Sequence, residues 1–318
     1  SFDGAINQLD KDLERHIKEY LAVRCGMQEI FSYPWMEESY VNAILQSTDG
    51  ILALSTPPSP SERFIRSSLL PNLCRAVAKN ERYYGDFAIF ETAQVFRDEN
   101  YTAPYDEREK LPSQRKNVAG AFVSAGKDVT GLFRRAKGVV EMMPRYTHME
   151  PYSFRQVSKP VWADEVVWLN IYLGEEYIGD LALLSKRVSM ACGIKNVNVM
   201  LFQLDQDALI PLRSRTNSFR HLAEYPMTDY DISLLLDGQV KWADVAQTIG
   251  GIKNPLLHGA AFVDEYRGKQ VPEGKKSLTA RLTIGSAEKT LTSAEIEEVA
   301  NSVLKKLAKR FGAELRSR

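Results

Sequence analysis

The sequence predicts an α+β fold in two domains, and three observations lead there. The chain has 318 residues, about twice the ~150 residues of a common domain. Runs with strand-like alternation are interleaved with runs of helical spacing, and no internal repeat is present. Residues 223–318 resolve into the order β-α-β-β-α-β, a split β-α-β unit. Hydrophobic residues make up 44% of the chain, enough to bury a core in each part.

Residues 8–25 place Leu9, Leu13, Ile17, Tyr20 and Leu21 at helical spacing, and Gly26 is a suitable stop. "EIFSYPW" is a short β-like run closed by Pro34. Residues 55–62, "STPPSPSE", read as a loop. "FIRSSLLPNLCRAVAKN" reads as a lead-in and a helix with Pro71 near its start. "DFAIFETAQVFRDE" predicts two short strands, 87–91 and 93–97, and the polar residues 98–117 predict a loop. "VAGAFVSA" then reads as a strand and "DVTGLFRRAKGVVEMM" as a helix with one glycine irregularity. "VVWLNIYL", "EYIGDLALL" and "VNVMLFQLD" are three further strand-like runs. The polar, basic residues 211–222 form a connector that divides the chain into domains 1–222 and 223–318.

The second domain is the more legible. Ile232, Leu234 and Leu236 alternate inward, and Asp237-Gly238 ends their strand. Trp242, Val245, Ala246 and Ile249 share a helical face stopped by Gly250-Gly251. "GAAFVDEYRG" is a second strand, and "KSLTARLTI" a third. In the third, Leu278, Ala280, Leu282 and Ile284 alternate with Ser277, Thr279, Arg281 and Thr283. Thr292 and Glu295 have capping-box spacing. They lead a helix carrying Ile296, Val299, Val303, Leu307 and Phe311, with Gly312 at the left-handed cap and "AELR" as a last strand. This order is the ferredoxin-like arrangement.

Basic and acidic residues number 41 each, which excludes polybasic binding over the whole chain but not a local patch. Cys25, Cys74 and Cys192 make no CxxC pair and no zinc spacing, as expected for a reducing, cytoplasmic location. No apolar run is long enough to span a membrane, and the N-terminus has no apolar signal core. The chain opens with Ser1 rather than Met, which predicts a piece of a longer protein. His16, His148, His221 and His258 are scattered, without metal spacing. Phe122 stands two residues before Ser124, where a nucleophile elbow needs glycine. Neither GxGxxG nor GxxxxGK[ST] occurs.

One cluster rises above this background. In "FVDEYRGKQVPEGKKS", Tyr266 sits at a strand end among Arg267, Lys269, Lys275 and Lys276, with Pro272-Glu273-Gly274 as a tight turn. An aromatic ring beside clustered cations can hold an unpaired RNA base and its phosphates. The competing reading is a solvated hairpin edge blunted by lysines. A second cationic group, Lys305, Lys306, Lys309, Arg310, Arg316 and Arg318, lies on the last helix and strand. The outward residues of the third strand include no aromatic, so RNA would bind at the hairpin end rather than across that face.

The segment from Phe262 to Val299, with "FGAELR" at the end, resembles the ferredoxin-fold anticodon-binding domain that closes the β subunit of bacterial phenylalanyl-tRNA synthetases. The pattern is Asp-x-Tyr-x-Gly, then Pro-Glu-Gly-x-Lys-Ser-Leu, Thr-Leu-Thr and Gly-x-x-Leu-Arg. Upstream, "FIRSSLLPNL", "FETAQVF", "KGVVE" and "YIGDLALL" resemble the same subunit more loosely. This resemblance implies a class II synthetase-like antiparallel sheet with flanking helices, followed by the ferredoxin-like domain.

The resemblance also implies roles. Asp264, Tyr266, Ser277 and Arg316 match the family's anticodon contacts, Tyr266 by stacking on a base; Arg267, Lys269, Lys275 and Lys276 are added as RNA-binding candidates from the cluster. Two positions depart from the pattern: Tyr230 stands where an arginine is usual, and Leu184-Ser185 where His-Pro is usual. The first domain looks non-catalytic. If Glu91 aligns with a class II Arg-x-Glu strand, the arginine position holds Ile89, and no glycine-rich segment ends in arginine. The implied partners are the anticodon stem-loop of tRNA(Phe) and a catalytic α subunit in a heterotetramer, contacted through residues 8–25 and "GMQEIFSYP". ATP and magnesium are implied for the whole enzyme, and no cofactor, metal or editing chemistry for these residues. The alternative is a ferredoxin-like regulatory domain that binds a small metabolite, joined to a non-catalytic dimerisation module.

Overall fold

The structure is a computed structural model describing residues 8–102, 110–211, 225–268 and 270–315, with backbone alone for 99–102 and 110–111. The chain divides into two compact units, Ser1–Asn217 and Ser218–Arg318. Residues 212–222 of the expected connector lie outside the described residues.

In the first unit, α1 (Leu9–Glu19) runs into a π-helical turn, Tyr20–Arg24. Gly26, at φ +66, turns the chain into β1 (Gln28–Glu29). Then come β2 (Trp35–Met36), α2 (Glu38–Ile44), β3 (Phe64–Ile65) and α3 (Leu70–Asn80). β4 (Asp86–Thr102), β5 (Lys110–Ser124) and α4 (Val129–Thr147) follow. The unit continues with β6 (Ser153–Arg155), β7 (Ala163–Leu173), β8 (Glu176–Leu184), α5 (Lys186–Ala191), β9 (Asn198–Asp205) and α6 (Gln206–Leu209). Among the described residues β2 and β3 pair with each other, and the other seven strands build one sheet in the order β1-β4-β5-β9-β8-β7-β6. It is antiparallel except where β1 runs parallel to β4.

Strand residues alternate between faces, so each sheet face packs its own core. Phe90, Phe122, Met200 and Phe202 pack with Leu13, Ile17 and Met143 of α1 and α4. Ile89, Ala119, Ala121 and Leu201 pack with Ile44, Leu73, Val77 and Val188 of α2, α3 and α5.

Several expected boundaries are corrected. The two short strands at 87–91 and 93–97 are one strand, Asp86–Thr102. Thr92, between the two expected strands, does not break it: it stays in register opposite Val118 of β5. Most of the expected loop 98–117 is strand: pairing continues from Arg97↔Ser113, through a bulge, to Thr102↔Lys110. Polar composition hid this ribbon, whose two strands satisfy each other's backbone. Gly138 causes no irregularity in α4, which continues past Pro144 and ends at His148 in the left-handed conformation, φ 57.

In the second unit, β10 (Thr228–Asp237), α7 (Trp242–Gly250), β11 (Leu257–Tyr266), β12 (Lys275–Ile284), α8 (Ser293–Phe311) and β13 (Glu314–Leu315) follow one another. The sheet order is β11-β12-β10-β13. Ile232, Leu234, Leu236, Leu278, Ala280, Leu282 and Ile284 form one apolar face with Val245, Ile249, Val299, Val303 and Leu307 of the helices. The capping box is formed, with the Glu295 carboxylate accepting from Thr292 N–H at 2.8 Å and the Thr292 hydroxyl accepting from Glu295 N–H at 3.4 Å. Gly312, at φ 62, closes α8. No helix among the described residues is long and apolar enough to cross a membrane.

Candidate functional site

The geometry around Tyr266 begins with two irregularities in the edge strand β11. Its register against β12 shifts between Leu257 and Gly259 and again between Phe262 and Asp264. Phe262 lies opposite the core residue Ala280. A regular strand would put Asp264 and Tyr266 on that same core side. The bulge at Val263 reverses them: Asp264 lies opposite Thr279 and Tyr266 opposite Ser277, on the face away from the helices. Tyr266 is 43% exposed there.

That outer face is otherwise a ladder of satisfied polar pairs. The Arg281 guanidinium donates to both Asp231 oxygens at 2.7 and 2.8 Å and holds the Asp231 carboxyl below its ordinary range. Ser233 and Thr279 hydroxyls are 3.1 Å apart, and the Thr283 hydroxyl donates to Asp229 at 3.1 Å. Nearest Tyr266 the row changes character, with Ser277 flanked by Tyr266 on β11 and Leu235 on β10.

The expected site residues separate into groups. Asp264 and Tyr266 share the outer face, and Asp264 Oδ1 accepts from Glu265 N–H at 2.8 Å. Ser277 joins them in register but is buried, at 4% exposure. Lys275 is at the same end, with Nζ 3.6 Å from Glu314 Oε1. Lys276 does not fringe the ring: it shares the core-facing side of β12 with Leu278, is 3% exposed, and donates to Glu265 Oε2 at 2.7 Å. Strand alternation places consecutive lysines on opposite faces. Arg267 donates to Glu265 Oε1 at 2.8 Å and to the Gly238 carbonyl at 2.8 Å. Burial pushes the Glu265 carboxyl up, but the Lys276 ammonium and the Arg267 guanidinium outweigh it and hold the group below its ordinary value. The Pro272-Glu273-Gly274 turn is present, with Lys275 N–H on the Pro272 carbonyl at 3.0 Å and Gly274 at φ 79. Lys305, Lys306, Lys309 and Arg310 are exposed on α8, in the helix layer. Lys269, Arg316 and Arg318 lie outside the described residues.

The first unit carries a second candidate surface. Phe31 and Tyr33 are largely exposed, and Tyr33 stacks on Trp35 with ring centroids 4.6 Å apart. A cavity of about 570 Å³ opens beside them, lined also by Asn72, Arg75 and Lys79. The segment is held from behind. Glu91, 1% exposed, accepts from Ser32 N–H at 2.9 Å, from the Ser32 hydroxyl at 2.8 Å and from Arg66 at 3.1 Å. The Asn72 amide donates to the Ser32 hydroxyl and the Tyr33 carbonyl, both at 3.0 Å. Burial pushes the Arg66 guanidinium down, with Glu91 opposing it. Glu91 is thus committed to protein partners, and the side chain two residues before it, Ile89, is buried in an apolar core. Ser185, the second residue of the departing Leu184-Ser185 pair, caps α5 by accepting from Val188 N–H at 3.3 Å.

Comparison with known proteins covers both units. Residues 4–206 match the family described as "Phenylalanyl tRNA synthetase beta chain CLM domain", and residues 223–316 match "Ferredoxin-fold anticodon binding domain". Similar curated proteins include the phenylalanine–tRNA ligase beta subunits of Oceanobacillus iheyensis (27% identical, covering 96% of this chain and 38% of the relative) and Carboxydothermus hydrogenoformans (28%, 96% and 38%). The Clostridium tetani beta subunit is 23% identical over 99% of this chain and 39% of its own length. The chain therefore spans about 38% of the length of the first two relatives. Among solved structures, Desulfitobacterium hafniense PylSc, a pyrrolysyl tRNA synthetase, aligns with TM-score 0.50 and 14% identity over 67% of this chain and 74% of that one. At that identity the likeness concerns the fold alone.

Proposed function

Because the chain belongs to the phenylalanyl-tRNA synthetase β-chain family, we propose that its second unit reads an unpaired base of the tRNA(Phe) anticodon stem-loop while its first unit holds a catalytic α subunit in the cytoplasm. The observation that carries the reading is Tyr266: a bulge turns this ring outward at a sheet edge, beside Asp264 and at the same end of the sheet as the half-buried Lys275. A ring so placed offers a stacking platform, and Lys275 offers charge for a neighbouring phosphate. Asp264 keeps acceptor capacity for a base edge, Ser277 stands opposite Tyr266 in the ladder, and Arg316 follows β13 in sequence. Lys276 serves Glu265 rather than RNA. The small-metabolite alternative is not favoured, since the match to an anticodon-binding family covers the second unit.

For the first unit, the exposed Phe31 and Tyr33, fixed by Ser32, Asn72, Arg66 and Glu91, are the surface we assign to the α subunit. ATP and magnesium belong, on this reading, to the partner's chemistry. The test is a titration of tRNA(Phe) against the whole chain and its Tyr266→Ala variant. Loss of one stacked base should weaken binding by about 1–3 kcal/mol, roughly 5- to 150-fold. Unchanged affinity would overturn the site.

A further inference from the structure

We infer that Glu265, Lys276 and Arg267 form a clamp that positions the Tyr266 ring, and that Gly268 is the seat on which the ring rests; the inference relies on the base-stacking role proposed above. Tyr266 is the last residue of an edge strand, paired on one side only. Such an end frays unless something ties it down.

The ties lie on the opposite face from the ring. Glu265, between Asp264 and Tyr266, points to the helix side opposite Leu278. Its two carboxylate oxygens are divided between Lys276 Nζ on β12, at 2.7 Å, and Arg267 Nε, at 2.8 Å. Arg267 then donates to the Gly238 carbonyl at 2.8 Å, and Gly238 N–H donates to the Gly274 carbonyl at 2.8 Å. One carboxylate thus joins the end of β11, the turn after β10 and the turn before β12. On the ring's own side, a Cβ built at Gly268 would lie 2.3 Å from the Tyr266 hydroxyl oxygen and 2.5 Å from Cζ. The ring lies directly against the glycine, and any side chain there would displace it. Two cations that the sequence presents as phosphate ligands therefore have another task, and at 3% exposure Lys276 is closed to a phosphate.

The experiment compares tRNA(Phe) binding across a salt series for the whole chain and for Glu265→Gln, Lys276→Met, Arg267→Gln, Gly268→Ala, Lys275→Gln and Tyr266→Ala. The Gly268 amide resonance, shifted by the adjacent ring, is read in parallel without RNA. The clamp predicts that Glu265→Gln and Lys276→Met weaken binding at least about 5-fold at every salt concentration, with the salt slope unchanged, and move the Gly268 resonance. Gly268→Ala weakens binding similarly. Lys275→Gln instead lowers the slope by about one. Arg267→Gln, at an exposed position, tests the clamp should the buried changes unfold the hairpin, and it too must move Gly268. A Gly268 resonance that stays put in the folded clamp variants overturns the inference. So does a Lys276→Met slope reduced as in Lys275→Gln, which would make Lys276 a phosphate ligand. If Tyr266→Ala alone binds like the parent, the base-stacking reading fails, while the Gly268 resonance still judges the clamp.

Discussion

Both units hold aromatic side chains outward by fixing the backbone beside them with a carboxylate and a cation, yet at different depths. In the first unit Glu91 and Arg66 are buried, and the segment they secure presents Phe31 and Tyr33. In the second, Glu265 is at the rim, with only its Lys276 partner buried, and it secures Tyr266. Depth decides what breaks when a partner is removed. An unpaired charge in a closed interior penalises the whole fold. The same loss at a rim is relieved by water and falls mainly on local geometry.

Arg66→Ala strands the Glu91 carboxylate and should cost the first unit about 3–5 kcal/mol in a denaturant melt. A loss below about 1 kcal/mol would show that water reaches Glu91 and that the two devices are alike. Gly179→Ala is a control for backbone closeness without charge. A Cβ there would lie 2.0 Å from the Gln203 carbonyl oxygen, so the β8–β9 pairing must open; the melt should shift by about 1–3 kcal/mol, as overpacking does. At the surface of the second unit, Thr292→Ala removes the α8 cap and should cost about 1 kcal/mol.

The capping box adds a pH signature. Lys289 first, then the Thr292 backbone and hydroxyl, pull the Glu295 carboxyl down to about 2. A carboxyl lowered on folding stabilises above its unfolded value and loses that contribution as the pH falls through the folded one. The stability difference between the parent chain and Glu295→Gln should therefore shrink between about pH 4.5 and about pH 2, read as unfolding midpoints across that range. The smallest effect belongs to Asp231→Asn. Its pair with Arg281 is solvent-exposed, and the midpoint should stay where it is.

The second unit was readable because its alternation and caps are local. Leu278, Ala280, Leu282 and Ile284, the Thr292–Glu295 box and the Gly312 cap all follow from residues within a few positions of one another. The bulge at Val263 was not readable, since no glycine or proline marks it, yet it decides which way Tyr266 and Asp264 face. The long β4–β5 ribbon hid behind polar side chains, and the Arg66–Glu91 pair behind a separation that periodicity does not register. Histidines that look scattered also meet: His16 and His148 rings stand 6.0 Å apart. Cys74 and Cys192 share one core for the same reason, a long-range packing that spacing rules do not see.

Stacking of Tyr266 on one anticodon base is open to a double-mutant cycle. Anticodon stem-loops with a single abasic position are titrated against the parent chain and Tyr266→Ala. At one position the two losses should overlap, with a coupling of about 1–3 kcal/mol. Additive losses at every anticodon position would contradict the account.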